Sequence, residues 1–539
     1  MEDLFREWFH AKPLQDERKQ RTPYVLQMIL SFVKTKTLAK LRLSNRPIYL
    51  KCQPNEQMDI KVVLVLISVA GLLVVIMTHL TKLDTMILSE DEDAIISGCL
   101  PVNEDQEIVR DRITEMESII RCNDSCNFQL VESLPCDMPY EPNSSMAKPL
   151  YQAWMELLNM TQESIHVASF YWSLTGEDLG VSDSSSKQGE EVLAKFGSLL
   201  LKNVSVFIAT HVPSQARNST DLEFLEAKGA HVKRIDFRRL TKGVLHSKFW
   251  IIDKKHVFLG SANMDWRAIT QVKEVGIVIS HCSCLANDLW KTFKTYWDLG
   301  GSRATVPSPW PRNYSTDINR ESPLEVQFNG TTTKAYFSAS PFSFCPAGRT
   351  DDLHGILDVI NSAEEFVYVS VMEYFPTSRF RHPPRYWPAI DNALRRVAIG
   401  RNVHIRLLVS CWMGSDPSMF HYLESLRSLN DPHANITIEV KIFIVPVVNH
   451  TSIPFARLSH SKYMVTDKAA YIGTSNWSEE YFSNTAGVGL IAMQSPTDPQ
   501  KKIPIIQERL RSLFERDWDS RYSVNMNDLP EQKDCAWKE

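Results

Sequence analysis

Two short stretches of the chain carry the same residue types at the same spacing. His246, Lys248 and Asp253 form one His-x-Lys-x4-Asp set, and His460, Lys462 and Asp467 form a second. Each is followed by Gly-[Ser/Thr]-[Ala/Ser]-Asn, ending at Asn263 and at Asn476. A histidine can attack phosphorus as neutral imidazole or surrender a proton as imidazolium, so a pair can run both sides of a substitution at a phosphodiester. Lysines place positive charge around phosphoryl oxygens, and asparagine amides add neutral donors. The expected route passes through a phosphohistidine that water or another alcohol opens. Asp253 and Asp467 are expected to orient the basic groups rather than react. Since lysines can do a metal's electrostatic work here, the pattern calls for no catalytic metal and no cofactor. Which histidine attacks is not written in the spacing.

The elements around the motifs are duplicated as well. Residues 249–253 and 463–467 read as strands, and period-2 alternation puts His246 and Lys248 on one face. The Gly-Ser-Ala-Asn and Gly-Thr-Ser-Asn segments suit turns that bring donors close to a ligand. Apolar runs lie upstream at 165–172 and 204–209 in one copy, and at 366–372 and 405–409 in the other. Further runs follow at 275–279 and 488–492, then helical patterns at 288–297 and 507–518. Two strand-rich α/β units about 215 residues apart predict sheets sandwiched by helices, joined as pseudo-symmetric halves. Trp172, Tyr374 and Trp477 are read either as core or as platforms for unpaired bases.

Charge and cysteine use place this unit. The 539 residues carry a formal net charge of -5, which excludes a protein that coats nucleic acid by bulk positive charge. Residues 62–81 (VVLVLISVAGLLVVIMTHLT) carry no formal charge, a length suited to a bilayer core of about 30 Å. Residues 1–61 hold 12 Lys/Arg against 7 Asp/Glu, and the excess of bases predicts that this end is cytosolic. Ten Asn-x-Ser/Thr tripeptides all lie beyond the apolar run, the pattern of a glycosylated lumenal domain. One of them is Asn476 itself, expected to stay unmodified because its turn belongs to the site. Nine of the ten cysteines lie on the same side. Cys122 and Cys126 are expected to bridge to Cys282 and Cys284, with zinc as the rival reading. The resulting division is a cytosolic tail 1–61, a transmembrane helix 62–81, a lumenal stalk 82–121, a first half 122–300, a connecting segment 301–335 and a second half 336–539.

The doubled motif resembles the phospholipase D superfamily, from about residue 122 to the C-terminus. The words GSANMDWRA, TQVKE, MEYFPTSRF, HPPRYWP and GTSNWSEEYF are similar to its type II transmembrane, lysosomal branch, members three and four, and more to the fourth. The resemblance implies two phospholipase D-type α/β halves forming one site at a pseudo-twofold axis, behind a single transmembrane helix. It implies a 5′-to-3′ exonuclease acting on single-stranded DNA and RNA, limiting nucleic-acid sensing. It also implies passage through the endoplasmic reticulum and Golgi to the endolysosome, and a Cys411–Cys535 bridge. It admits a homodimer and release of a soluble enzyme by stalk cleavage. Two alternatives stay open: a phospholipase or transphosphatidylase acting on lysosomal phospholipid, and an inactive membrane-bound binding protein.

Overall fold

The computed structural model describes residues 122–537, apart from 136, 213–218, 329–330, 449, 451–452 and 497–504, together with the backbone of a hairpin at Lys40–Leu43 and Arg46–Tyr49. The proposed membrane segment 62–81, the stalk, Cys52, Cys99 and Cys136 lie outside the described residues. Among the described residues no helix is long and apolar enough to cross a membrane. The chain divides into two compact units, and the second, from Ile113 to Glu539, holds both motifs.

That unit is built on two sheets of matching topology. The first contains β1 (Asn127–Ser133), β2 (Ser164–Ser169), β3 (Ser205–His211), β4 (His231–Ile235), β5 (Phe249–Ile252), β6 (His256–Gly260) and β7 (Glu274–Ser280). They lie in the order β1-β7-β6-β5-β2-β3-β4. The second contains β8 (Leu324–Phe328), β9 (Thr331–Ser340), β10 (Phe366–Val371), β11 (His404–Cys411), β12 (Ile438–Ile444), β13 (Lys462–Thr466), β14 (Ala470–Gly473), β15 (Gly487–Pro496) and β16 (Ser523–Asn525). Its order is β8-β9-β15-β14-β13-β10-β11-β12-β16. With the edge strands β8 and β16 left out, and the two-residue edge strand Lys148–Pro149 of the first sheet set aside, the two orders are identical. Strand senses agree too: β2, β3 and β4 are parallel to one another, as are β10, β11 and β12, and the remaining neighbours are antiparallel. Register ties the copies residue to residue, because Gly260 pairs with Gly276 as Gly473 pairs with Gly489. Strand β8 extends the second sheet into the stretch read from sequence as a connecting segment.

Helices cover both faces, which is why the central strands are almost continuously apolar. Every residue of β5, Phe-Trp-Ile-Ile, is buried. Helices α1 (Leu150–Met160), α2 (Lys187–Leu200) and α3 (Thr220–Ala227) pack on the outside of the first sheet, burying one stripe each, such as Val192, Leu193, Phe196 and Leu199. Their counterparts on the second sheet are α5 (Asp352–Ser362), α6 (Ala389–Arg401) and α7 (Met419–Arg427). Helices α4 (Ser283–Asp298) and α8 (Ile506–Trp518) lie between the sheets and touch both. Their apolar faces close a shared core with Ile277 and Ile279 of one half and Val488 and Leu490 of the other. The motifs therefore meet across a packed seam.

Disulfides fasten the edges. Cys122 bonds Cys284, Cys126 bonds Cys282, and Cys411 bonds Cys535. The four cysteines that could have held zinc are paired with one another, so bridging is the reading the structure takes. Cys345 is a free thiol.

Candidate active site

Both histidines sit just ahead of the matching strands β5 and β13, each held by the opposite half. The His246 backbone N–H donates to the Ala486 carbonyl at 2.9 Å, and the His460 N–H donates to the Lys273 carbonyl at 2.8 Å. Ala486 and Lys273 occupy the same place in the two copies, one residue before β15 and β7. Parallel bridges Leu245–Ala486 and Lys273–Ser459 complete this exchange. Six motif residues are thereby brought to the seam: His246, Lys248, Lys462, Asn263 and Asn476, all buried, and His460, which is partly buried.

The lysines mirror each other. Lys248 Nζ donates to the His246 carbonyl, and Lys462 Nζ to the His460 carbonyl, both at 2.6 Å. Burial pushes Lys462 down to about 7, with Glu274 opposing the shift. Lys248 is driven well below its ordinary range by burial and by the charge of Lys462. Two buried amines whose charged forms are disfavoured by burial create a site that an oxyanion would stabilise. Asn263 reaches Tyr171, and Asn476 reaches Tyr481 and Glu373, while the Oδ1 atom of each amide has no hydrogen-bond partner. The turns carrying these amides are fixed alike, Ser261 N–H to the Val275 carbonyl and Thr474 N–H to the Val488 carbonyl.

The histidines themselves are not equivalent. His460 Nδ1 lies 3.0 Å from both carboxylate oxygens of Glu274. His246 Nδ1 lies 2.9 Å from the Thr474 carbonyl, which can only accept. Both contacts fix a proton on Nδ1 and leave Nε2 for the cleft. Burial depresses His246 well below its usual value, and Lys248, Lys462 and His460 depress it further. Burial also lowers His460, but there Glu274 pulls the other way. Burial raises Glu274, yet His460 and Lys462 outweigh it and hold the carboxyl below its ordinary range. Glu274 is ionised, 2% exposed and supplied by β7 of the half opposite His460. In the sequence it ends the word TQVKE, where nothing marks it as functional. The signal was weak, because the register-matched residue in the second half is Gly487.

One expectation needs correction, and one open choice is decided. Asp253 does not approach the basic groups. It follows β5 at a turn residue with φ 49° and accepts the N–H groups of Gln162, Glu163 and Ser164 at 2.8–2.9 Å. Asp467 likewise accepts from Glu364 and Glu365. A strand separates each aspartate from its histidine, so these carboxylates pin the starts of β2 and β10. Trp172, Tyr374 and Trp477 are all core residues, at most 2% exposed, and present no ring to a base. Instead Phe170 and Tyr481 flank His246, with ring centroids 5.3 Å and 5.1 Å from the imidazole. Asn476 is 3% exposed, as its expected freedom from a glycan requires.

Two matching α/β halves with a histidine and a lysine from each on one seam define a duplicated site of the phospholipase D type. Residues 142–448 match the family model described as PLD3/4, PLD-like domain, and the chain belongs to that family. It is 58% identical over 415 residues to the human 5'-3' exonuclease PLD4, covering 77% of this chain and 82% of that protein. The mouse 5'-3' exonuclease PLD4 is 57% identical with the same coverage. The human 5'-3' exonuclease PLD3 is 48% identical over 408 residues, 75% of this chain and 82% of that one.

Proposed function

We propose that the chain is a 5′-to-3′ exonuclease that hydrolyses single-stranded DNA and RNA through a phosphohistidine on His460. The carrying observation is the His460–Glu274 contact facing a His246 that has no carboxylate. Attack by His460 Nε2 forms a P–N bond and leaves the imidazole cationic, and the Glu274 carboxylate sits where it can stabilise that charge. His246 Nε2 hands its proton to the leaving oxygen as the P–O bond breaks. Burial first and then the lysine charges hold His246 low, and a bound phosphate anion that offsets the lysines favours the protonated form this step needs. In the second step neutral His246 takes a proton from water, the water oxygen bonds to phosphorus, and the P–N bond breaks. Lys248, Lys462, Asn263 and Asn476 hold the phosphoryl oxygens throughout. Relatives named 5'-3' exonucleases at 48–58% identity support the reaction class and its direction. The apolar stretch 62–81, its basic flank and the one-sided glycosylation tripeptides support a single-pass anchor with this unit in an endolysosomal lumen, and the three disulfides fit such a compartment.

A leaving group that needs no proton separates the two roles. With thymidine 3′-(4-nitrophenyl phosphate), His246→Ala is expected to release a burst of one nitrophenolate per enzyme and to trap the thymidine 3′-phosphoryl group on His460. His460→Ala is expected to release none. A burst from His460→Ala, with silence from His246→Ala, would reverse the assignment. Turnover of phospholipid vesicles without release of nucleotides from end-labelled strands would refute the exonuclease reading.

A further inference from the structure

The segments leading from the cleft to α2 and to α6 occupy matching places, yet their chemistry is opposite. Residues 173–186 contain Glu177, Asp178 and Asp183, with neither a base nor an aromatic residue. Residues 375–388 contain Arg379, Arg381, Arg385 and His382, four aromatic residues and no acid. One rim of the cleft repels a phosphate chain, and the other attracts it.

The basic rim is also joined to the site. Backbone N–H groups of Arg379 and Phe380 donate to the Glu480 carboxylate at 2.8 and 3.0 Å. Glu480 immediately precedes Tyr481, whose ring lies against His246. From there the Phe380 ring is 6.3 Å away, and it is 63% exposed. Rings therefore step outward from the imidazole to Tyr481 and then to an exposed Phe380. Arg379, ion-paired to Asp416 at 2.9 Å, has its guanidinium 5.7 Å from the Phe380 ring and steadies it. At the loop tip Arg381, His382 and Tyr386 face solvent. Exposed rings set among cations are what an unpaired strand binds, through stacking and backbone charge.

We propose that the 375–388 loop is the track for the nucleotides on the 3′ side of the scissile phosphate, with Phe380 stacking a base and Arg381 meeting the backbone. This rests on the exonuclease reading and adds the polarity of the strand: the trailing chain leaves over the second half's rim, past His246. That places it where His246 protonates the departing oxygen.

The test compares a 20-nucleotide single strand with thymidine 3′-(4-nitrophenyl phosphate), which has no nucleotide beyond the phosphate. For Phe380→Ala, kcat/KM on the strand is expected to fall about tenfold, mainly through KM, while the ester changes less than twofold. Phe380→Trp is expected to stay near wild type on both. Arg381→Glu is expected to weaken strand use and to flatten its dependence on salt. Equal losses on strand and ester, or no loss on the strand, would overturn the track. Wild-type enzyme that releases nitrophenol but no nucleotides from strands would instead overturn the exonuclease reading.

Discussion

The two halves share strand order, strand sense and register, yet they differ where their residues reach the opposite histidine. At matched positions the first half has Lys273-Glu274 and the second has Ala486-Gly487. The backbone treats the pairs alike, since the carbonyls of Lys273 and Ala486 each accept a histidine N–H from the other half. The side chains do not. Glu274 gives His460 a carboxylate, whereas His246 receives only the Thr474 carbonyl. A duplicated scaffold supplies two imidazoles, and a carboxylate reaches only one of them, which is the basis of the proposed division into nucleophile and acid. Simple exchange would force a rearrangement, because a Cβ at Gly487 would lie 2.2 Å from Ser475 Oγ, which would have to shift.

The largest expected effect comes from abolishing that difference. Glu274→Gln should lower kcat on single strands by about 10²- to 10⁴-fold, as loss of an orienting carboxylate does elsewhere. The sign of the pH effect follows from its charge. Glu274 raises the pKa of His460, so its loss drops that pKa further and moves the acid limb of the kcat profile to lower pH. Rate profiles for wild type and variant, measured with the same strand, check both statements. An unchanged profile would mean that Glu274 serves the fold and not His460.

The other member of the pair carries the next effect, on stability. Lys273 Nζ lies 2.8 Å from Asp517 Oδ2, both side chains 1% exposed, linking the first half to α8 of the second. Arg516 extends the link, pairing with Glu132 and with Asp517. At the equivalent place the second half has Ala486, which makes no such link. Lys273→Met leaves the Asp517 charge with Arg516 alone and should cost about 3–5 kcal/mol, read as a shift in the urea midpoint. Lys273→Met combined with Asp517→Leu should recover much of that loss. A double variant worse than the single would show that the pair is more than a matched burial.

Much of this architecture was legible in the chain because duplication is local: each copy repeats its own residues in order. His246, Lys248, His460, Lys462 and the two asparagines could be found that way, and so could the cysteine pairs with their short spacings. The contacts that cross the seam could not. Glu274 acts on a histidine 186 residues away and has no copy in the second half. Asp253 and Asp467 belong to the repeated pattern and so were expected to orient its basic groups, but a four- or five-residue strand carries each to the far end of its sheet. Trp477 adjoins a motif in sequence, and it lies with Trp172 and Tyr374 inside the core in space. Proximity along the chain does not tell which side of a sheet a ring faces.

The smallest expected effect tests a difference inside the two cores. Register places Leu150, Val131 and Phe258 of the first half opposite Asp352, Ser338 and Tyr471 of the second. The first trio is apolar and buried. In the second, Asp352 is 0% exposed and its carboxylate receives Ser338 Oγ at 2.6 Å and Tyr471 Oη at 3.1 Å. Burial pushes the Asp352 carboxyl up to about 7, against about 3.9 for an unfolded aspartate. The folded chain therefore keeps a proton that the unfolded chain loses as pH rises above about 4. Stability from this group is full below that pH and drains away up to about pH 7. Acid conditions favour the fold at this spot, while the first half's trio is indifferent to pH. Asp352→Asn should flatten the decline in Tm between pH 5 and pH 7 by a few degrees. Transplanting the first trio as Asp352→Leu, Ser338→Val and Tyr471→Phe should flatten it as well, whatever the packing change does to Tm itself. If both variants kept the wild-type slope, the proton would have to be held elsewhere, and Asp221, raised by burial to about 6 in the first half, would be the next group to replace.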